Sequence, residues 1–199
     1  MKETGKSVNK ITSMGLLSAV VAVLAMLGSF IKIGPFPITL TLCPIIIGAA
    51  VYGPSSGALL GLVVGIANFI TGLLGWDGGA VLLLFEANPV MLIIMCLGKT
   101  TLAGFLAGAV YRKALPRFKS TVAVLLSGIV CPVTNTGVFI GLMLLFWTDT
   151  MSSWAGGSNV IIYAITGLAG VNFVIELVIN MVLAAAITAV IRYANRHNL

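Results

Sequence analysis

Hydrophobic residues form long runs along the chain, separated by short breaks of glycine, proline, serine and charged residues. The runs are continuous, which indicates helices, whereas a membrane β-barrel would show alternating segments of roughly ten residues. We therefore predict an all-α integral membrane protein with six transmembrane helices in one membrane domain, residues 1–199. The predicted spans are approximately 11–31, 38–52, 58–74, 100–111, 122–147 and 160–192.

The apolar segment 80–97 decides the topology, because it could be a seventh span but carries Glu86, Asn88 and Pro89 near its middle. Membrane proteins concentrate lysine and arginine on cytoplasmic loops. Six spans with a cytoplasmic amino terminus leave only Lys32 and Lys99 outside, whereas a seventh span would move the six basic residues from Arg112 onward outside. We therefore predict that 75–98 is a long outer loop, partly embedded in the membrane, and that both termini are cytoplasmic.

The composition supports lipid as the solvent and limits the kinds of partner. Hydrophobic residues make up 59% of the chain, charged residues 8%, and the mean hydropathy is +1.14. The net charge of +6 comes from residues that we interpret as topology determinants, so we predict no nucleic acid partner. Cys43, Cys96 and Cys131 are scattered without the spacing of a metal site or disulfide framework, so we predict neither.

The sequence lacks the residue sets of an intramembrane enzyme. A hydrolase would need a nucleophile beside a histidine base, or histidines that hold a metal, and the only histidine, His197, lies in the tail. Gly98-Lys99-Thr100 resembles the end of a phosphate-binding loop, but Ile93 stands where the first glycine is required. We therefore predict no enzymatic activity, no ATPase and no catalytic residue in this chain.

Several polar residues lie inside the predicted spans, where they are costly and tend to face a cavity or the bundle interior. Asn172, Glu176 and Asn180 recur every four residues and share one face of the last helix. Neighbours could hydrogen-bond Glu176, or low polarity could keep it protonated. A network that only orients helices is the alternative to a pocket for a small polar molecule. The pocket that we predict contains Asn68, Glu86, Asn88, Lys99, Asn135, Asn172 and Glu176.

Small residues recur at four-residue spacing, a pattern that lets membrane helices approach each other closely. Every fourth residue from Gly53 to Gly65 is a glycine, and we predict that this ladder packs inside the protein. The first helix carries two further pairs, which could pack internally or receive a partner subunit: Gly15 with Ala19, and Ser18 with Ala22.

Four segments, in this order, carry a resemblance to a known family: ITLTLCPIIIGAAVYGP at 38–54, Asn88-Pro89, CPVTNTG at 131–137 and NFVIE at 172–176. Together they resemble the substrate-binding S components of energy-coupling factor (ECF) vitamin transporters. The resemblance implies a six-helix protein of a prokaryotic plasma membrane that captures a vitamin or related micronutrient from outside. It also implies docking on a transmembrane coupling protein with two ATPases, which use ATP, while this chain binds no cofactor.

The resemblance extends to the site. Family members build it from outer loops and the outer halves of the last three helices, and they often carry A-x-x-x-A on the first helix to meet the coupling protein, where this chain has the two pairs above. A carboxylated vitamin such as pantothenate would suit Lys99, whereas Glu176 equally suits an amine or a hydroxyl-rich ligand. The substrate site then maps onto Trp76, Asp77, Glu86, Asn88, Lys99, Asn135, Asn172 and Glu176.

Two other functions stay open at this point. In a self-sufficient secondary transporter or channel, Glu176 would be a proton or cation site, but such folds often show broken helices in repeated halves, and we find no convincing repeat. A structural membrane protein would use its polar residues only to specify packing. Binding without transport by the purified chain would favour the S component.

Overall fold

The computed structural model describes the backbone of residues 2–31 and 39–196, and it is helical throughout, with no strand among these residues. Side chains are described for residues 10–31, 39–168 and 170–194. The helices are α1 (Lys2–Gly28), α2 (Leu42–Tyr52), α3 (Pro54–Leu73), α4 (Ala80–Ala87), α5 (Pro89–Ala114), α6 (Ser120–Phe146), α7 (Thr148–Ala155), α8 (Val160–Tyr163), a π-helix (Ala164–Gly170) and α9 (Val171–Arg196).

Five of the described helices are long and apolar enough to cross a membrane, namely α1, α3, α5, α6 and α9. They confirm the predicted all-α architecture and fit an integral membrane protein. The last predicted span, 160–192, consists of α8, the π-helix and α9 in direct succession. Helix α2 has 11 residues, which rise roughly 16 Å, about half the hydrocarbon thickness of a bilayer. The start of the predicted span 38–52 lies partly outside the described residues.

The predicted outer loop 75–98 is wrong in its second half, because α5 begins at Pro89. The Asn88 side chain accepts a hydrogen bond from the Met91 amide at 3.2 Å, and proline is favoured at the first position of a helix. The candidate span that contains 100–111 therefore runs from Pro89 to Ala114 and is longer than predicted. The first half of the loop contains α4, whose 8 residues are too few to cross a bilayer.

The glycine ladder of α3 packs against α5, which confirms the predicted internal role. A Cβ atom added at Gly57 would overlap the carbonyl group of Gly104, and one added at Gly61 would overlap that of Thr100. One helical turn farther, a Cβ atom at Gly65 would lie 2.5 Å from the Cys96 carbonyl oxygen. Only glycine lets the two backbones approach this closely, and the contact fixes the height of α5 beside α3.

An apolar cluster lies where α6 ends and holds α4 in place. Its centre is Trp147, which is 2% exposed and donates a hydrogen bond from Nε1 to the Leu84 carbonyl at 3.0 Å. Leu84, Leu92 and Met143 are buried in the same cluster. Because Trp147 follows the end of α6, this contact joins α4 to α6. Helix α4 thereby forms part of the wall of a cavity between the helices.

Candidate functional site

A cavity lies between the helices above the first turn of α2. Its volume is about 90 Å³, several times the roughly 10–15 Å³ that one water molecule needs, so it can take a small organic molecule. The end of α1, residues 39–41, α3, α4, α5, α6, the π-helix and α9 all contribute to its wall. The polar lining residues are Ser29, Thr39, Thr41, Asn68, Asp77, Lys99, Asn135, Thr136, Asn172 and Glu176.

Glu176 projects from α9 into this cavity and is only 5% exposed. Its Oε1 accepts a hydrogen bond from the Thr39 amide at 3.0 Å, which joins α9 to the segment before α2. Its Oε2 is buried and has no hydrogen-bond partner among the described residues. Asn172, one helical turn earlier on α9, is 8% exposed and lines the same cavity.

Two more buried oxygen atoms in the cavity wall lack a partner within the described part of the chain. They are Asn135 Oδ1 on α6 and Thr41 Oγ1 just before α2. Asn135 is 4% exposed and Thr41 is 1% exposed. Buried polar atoms are nearly always hydrogen-bonded in native proteins, and the described residues do not supply a donor to these two oxygen atoms.

Lys99 brings a positive charge to the cavity from α5. Its Nζ atom lies 4.9 Å from the centroid of the Phe139 ring on α6, a distance at which the ring face attracts a cation. No described carboxylate pairs with this ammonium group. The half-buried cation is therefore available to an anionic group that enters the cavity.

Asp77 lines the cavity, but its carboxylate is already used by the protein. One oxygen accepts from the Gly79 amide at 3.1 Å, and the other accepts from the Val81 amide at 2.7 Å. These bonds satisfy amide groups at the start of α4. Asp77 is therefore better explained as the residue that positions α4 than as a group that contacts a ligand.

Three predicted site residues do not line the cavity. Trp76 stacks on Phe30 with ring centroids 5.2 Å apart, Glu86 lies exposed on α4, and Asn88 caps α5. The family resemblance, which builds the site from outer loops, implied all three, and Glu86 and Asn88 were also predicted as polar residues on the outer side. Trp76 lies in the turn between α3 and α4, Glu86 on the exposed side of α4, and Asn88 at the junction of α4 and α5.

The sequence prediction missed Thr39 and Thr41, which complete the cavity beside α2. Both threonines stand at the start of the apolar run that becomes α2, a position that does not by itself indicate a site. Asn180, which the spacing places on the face of Glu176, lies outside the cavity wall. It accepts a hydrogen bond from Cys43 Sγ at 2.9 Å and donates to the Gly128 carbonyl at 3.5 Å, so it joins α2, α6 and α9.

The two small-residue pairs on α1 differ in exposure. Gly15 and Ala19 are exposed, whereas Ser18 and Ala22 are half-buried. No heavy atom lies within 4 Å of a Cβ atom added at Gly15. The first pair therefore presents a small, open surface on the outside of the described bundle.

The family model for the ECF transporter, substrate-specific component, matches residues 9–190. The chain belongs to this family. This S component is therefore the substrate-specific subunit of a membrane transporter, in agreement with the family that the four sequence segments indicated. It is also similar to the pantothenic acid transporter PanT of Lactococcus lactis subsp. cremoris (strain MG1363), with 25% identity over 204 residues that cover 96% of this chain and 98% of the relative.

Proposed function

We propose that this S component captures pantothenate, or a closely related carboxylated vitamin, in the cavity around Lys99 and Glu176. The similarity to PanT supports this choice of substrate. The observation that carries the proposal is the Lys99 ammonium, which lies in the cavity without an ion pair in the described structure. A cation inside a membrane bundle is costly unless an anion joins it, and a carboxylated ligand supplies that anion.

The remaining chemistry of the cavity also suits pantothenate. The molecule has hydroxyl groups and an amide that can donate hydrogen bonds, and it has a branched apolar centre. Buried acceptor oxygens of Asn135 and Glu176 can receive the donors, and the side chains of Val81 and Leu168 offer apolar contact. Small-molecule sites commonly combine mostly apolar walls with a few directed polar groups.

We further propose six spans in a prokaryotic plasma membrane, with α2 as a short span and both termini cytoplasmic. Arg112 and Lys113 occupy the last turn of α5, and Arg117 and Lys119 follow in the next connection. Their positive charge favours the cytoplasmic side for this end of the bundle. The cavity lies toward the other end of the bundle, near the end of α3 and the start of α5, so a ligand would enter it from outside.

In this proposal the open face of α1 docks on a transmembrane coupling protein that carries two ATPases. The exposed pair Gly15 and Ala19 supports close helix packing there, while Ser18 and Ala22 border the contact. ATP is used by the partner ATPases, and this chain binds no cofactor and acts as a transport subunit without an ATPase of its own. Because the partners hydrolyse ATP, the candidate site residues of this chain need only bind the substrate.

Reconstitution into liposomes tests the function. We expect the purified chain alone to bind pantothenate without accumulating it, and we expect ATP-dependent uptake once the coupling protein and both ATPases are added. Liposomes with the partners but without this chain are the control. Accumulation by the lone chain along a proton or sodium gradient would contradict the proposal and favour a secondary transporter that uses Glu176.

A further inference from the structure

Three side-chain oxygen atoms that can accept hydrogen bonds are buried in the cavity lining. Asn135 Oδ1 and Glu176 Oε2 are acceptor atoms, and the Thr41 hydroxyl lies with them in the lining. None of the three atoms has a hydrogen-bond partner among the described residues, although all three residues are more than nine-tenths buried. This group of oxygen atoms, the acceptor wall, can therefore accept hydrogen bonds from the donors of a ligand.

The start of α2 places Thr41 in the acceptor wall. It begins at Leu42, so Thr41 lies at the level where the helix starts and faces the space above it. The Thr39 amide is already bonded to Glu176 Oε1 and can serve only one of the two carboxylate oxygens. The second oxygen is held toward the cavity because the first is fixed.

The positive charge in the cavity is not hydrogen-bonded to the acceptor wall. Lys99 Nζ lies over the ring of Phe139, which is one helical turn, or roughly 6 Å of rise, along α6 from Asn135. The ammonium does not reach hydrogen-bonding distance of Asn135 Oδ1 or Glu176 Oε2, since both atoms lack a partner. The cavity thus has a cationic region and an acceptor region that no hydrogen bond joins in the described structure.

We propose that the cavity binds its ligand in one orientation, with a carboxylate at Lys99 and hydroxyl or amide donors at the acceptor wall, and that Thr41 is a binding residue. This inference rests on the proposed function and adds the direction of the ligand. Pantothenate fits such a division because its carboxylate and its hydroxyl groups lie at opposite ends of the molecule. An anion that lacks donors, or a polyol that lacks the carboxylate, would satisfy only one region.

Calorimetric titrations of purified protein can test the orientation with three probes. The probes are pantothenate, pantothenol, in which a hydroxymethyl group replaces the carboxylate, and pantothenate with both hydroxyl groups methylated. The variants are Lys99→Met, Glu176→Gln and Thr41→Val. In Glu176→Gln the amide oxygen can still accept from the Thr39 amide, which leaves a donor in place of the unpartnered acceptor, and Thr41→Val keeps the side-chain shape.

We expect the unaltered chain to bind pantothenate about 10- to 100-fold more tightly than pantothenol, because a hydrogen-bonded ion pair is lost. Lys99→Met should remove most of this difference and keep the discrimination against the methylated probe. Glu176→Gln and Thr41→Val should do the reverse: they should reduce the discrimination against the methylated probe and keep the preference for pantothenate over pantothenol. The pattern separates the two regions, since a general loss of structure would weaken all probes alike.

Matched controls are available for both kinds of change. Lys113→Met removes an exposed lysine at the other end of α5, and Thr188→Val removes a buried hydroxyl on α9 that donates to the Ala184 carbonyl. Both should keep the probe preferences of the unaltered chain. The orientation alone would be overturned if Lys99→Met reduced the discrimination against the methylated probe while Glu176→Gln and Thr41→Val reduced the preference for pantothenate over pantothenol. Equal affinity of the unaltered chain for all probes would also overturn it. Absence of pantothenate binding would overturn the proposed function as well.

Discussion

The glycine contact between α3 and α5 predicts how helix packing controls the cavity wall. Gly65→Ala would place a Cβ atom 2.5 Å from the Cys96 carbonyl oxygen and 2.9 Å from Leu97 Cα. Ordinary contacts of a Cβ atom begin at 3.4 Å, so α5 would have to move away by about 0.9 Å. Cys96 and Lys99 both line the cavity, so the same movement would displace the cation from its position.

The expected loss of stability follows from overpacking a close contact. Extra methyl groups in a well-packed interior typically cost roughly 1–3 kcal/mol, and 1–2 kcal/mol already changes the ratio of folded to unfolded protein by about 5- to 30-fold. We therefore expect Gly65→Ala to unfold at a lower denaturant concentration and to bind pantothenate more weakly. The second effect depends on the displacement of α5, not on any contact between Gly65 and the ligand.

Reversible unfolding in mixed micelles, followed by tryptophan fluorescence, would measure the change in free energy. Gly137→Ala on α6 is the matched control, because nothing lies within 4 Å of a Cβ atom added there. The control should be neutral or more stable, by up to about 1 kcal/mol, since alanine is the better helix former. Equal stability of Gly65→Ala and the control would refute the close packing of α3 on α5.

Three further substitutions test a hydrogen bond, a helix cap and an exposed helix face. Trp147→Phe removes the donor to the buried Leu84 carbonyl and should lower the free energy of unfolding by about 1–3 kcal/mol; an unchanged value in the same micelle assay would argue against that bond. Asp77→Asn can no longer accept hydrogen bonds from both amides at the start of α4, so amide hydrogen exchange there should become faster. Unchanged exchange would contradict this role of Asp77. Ala19→Trp should block co-purification with the coupling protein while Val178→Trp, on the exposed side of α9, should not; equal recovery would remove this face of α1 from the docking surface.

Part of the site could be predicted because polar residues inside a membrane tend to face a cavity or the bundle interior. Asn172 and Glu176 share a helix face by their four-residue spacing, and a pocket gathers such residues because lipid exposure is costly. Lys99 and Asn135 meet them in the cavity, as does Asn68. The family segments agree with the family match over residues 9–190, so the class of protein was also accessible from sequence.

The remaining errors come from side-chain direction and from one helix boundary. The apolar segment 80–97 contains a break at Asn88 that the charge distribution assigns to a loop, although an asparagine cap followed by proline is also a signal for a helix start. That signal would have predicted α5 from Pro89. Exposed Glu86 and stacked Trp76 could not be excluded by spacing, because the turn between α3 and α4 sets where they point.

Thr41 illustrates what the sequence alone could not provide. A threonine at the start of an apolar run is common, and its importance depends on α2 being short and on a hydroxyl group that is left without a partner in the described structure. Asp77 shows the converse, because a carboxylate beside the pocket is occupied by two backbone amides. Hydrogen-bond accounting in three dimensions separates the two cases.

Direct titration of pantothenate into the purified chain, without partner subunits, tests the central claim. We predict saturable binding of one pantothenate per chain, weakened about 10- to 100-fold by Lys99→Met and unchanged by Lys113→Met. No saturable binding by the unaltered chain, or the same affinity in Lys99→Met, would contradict the assignment of this cavity to a carboxylated vitamin.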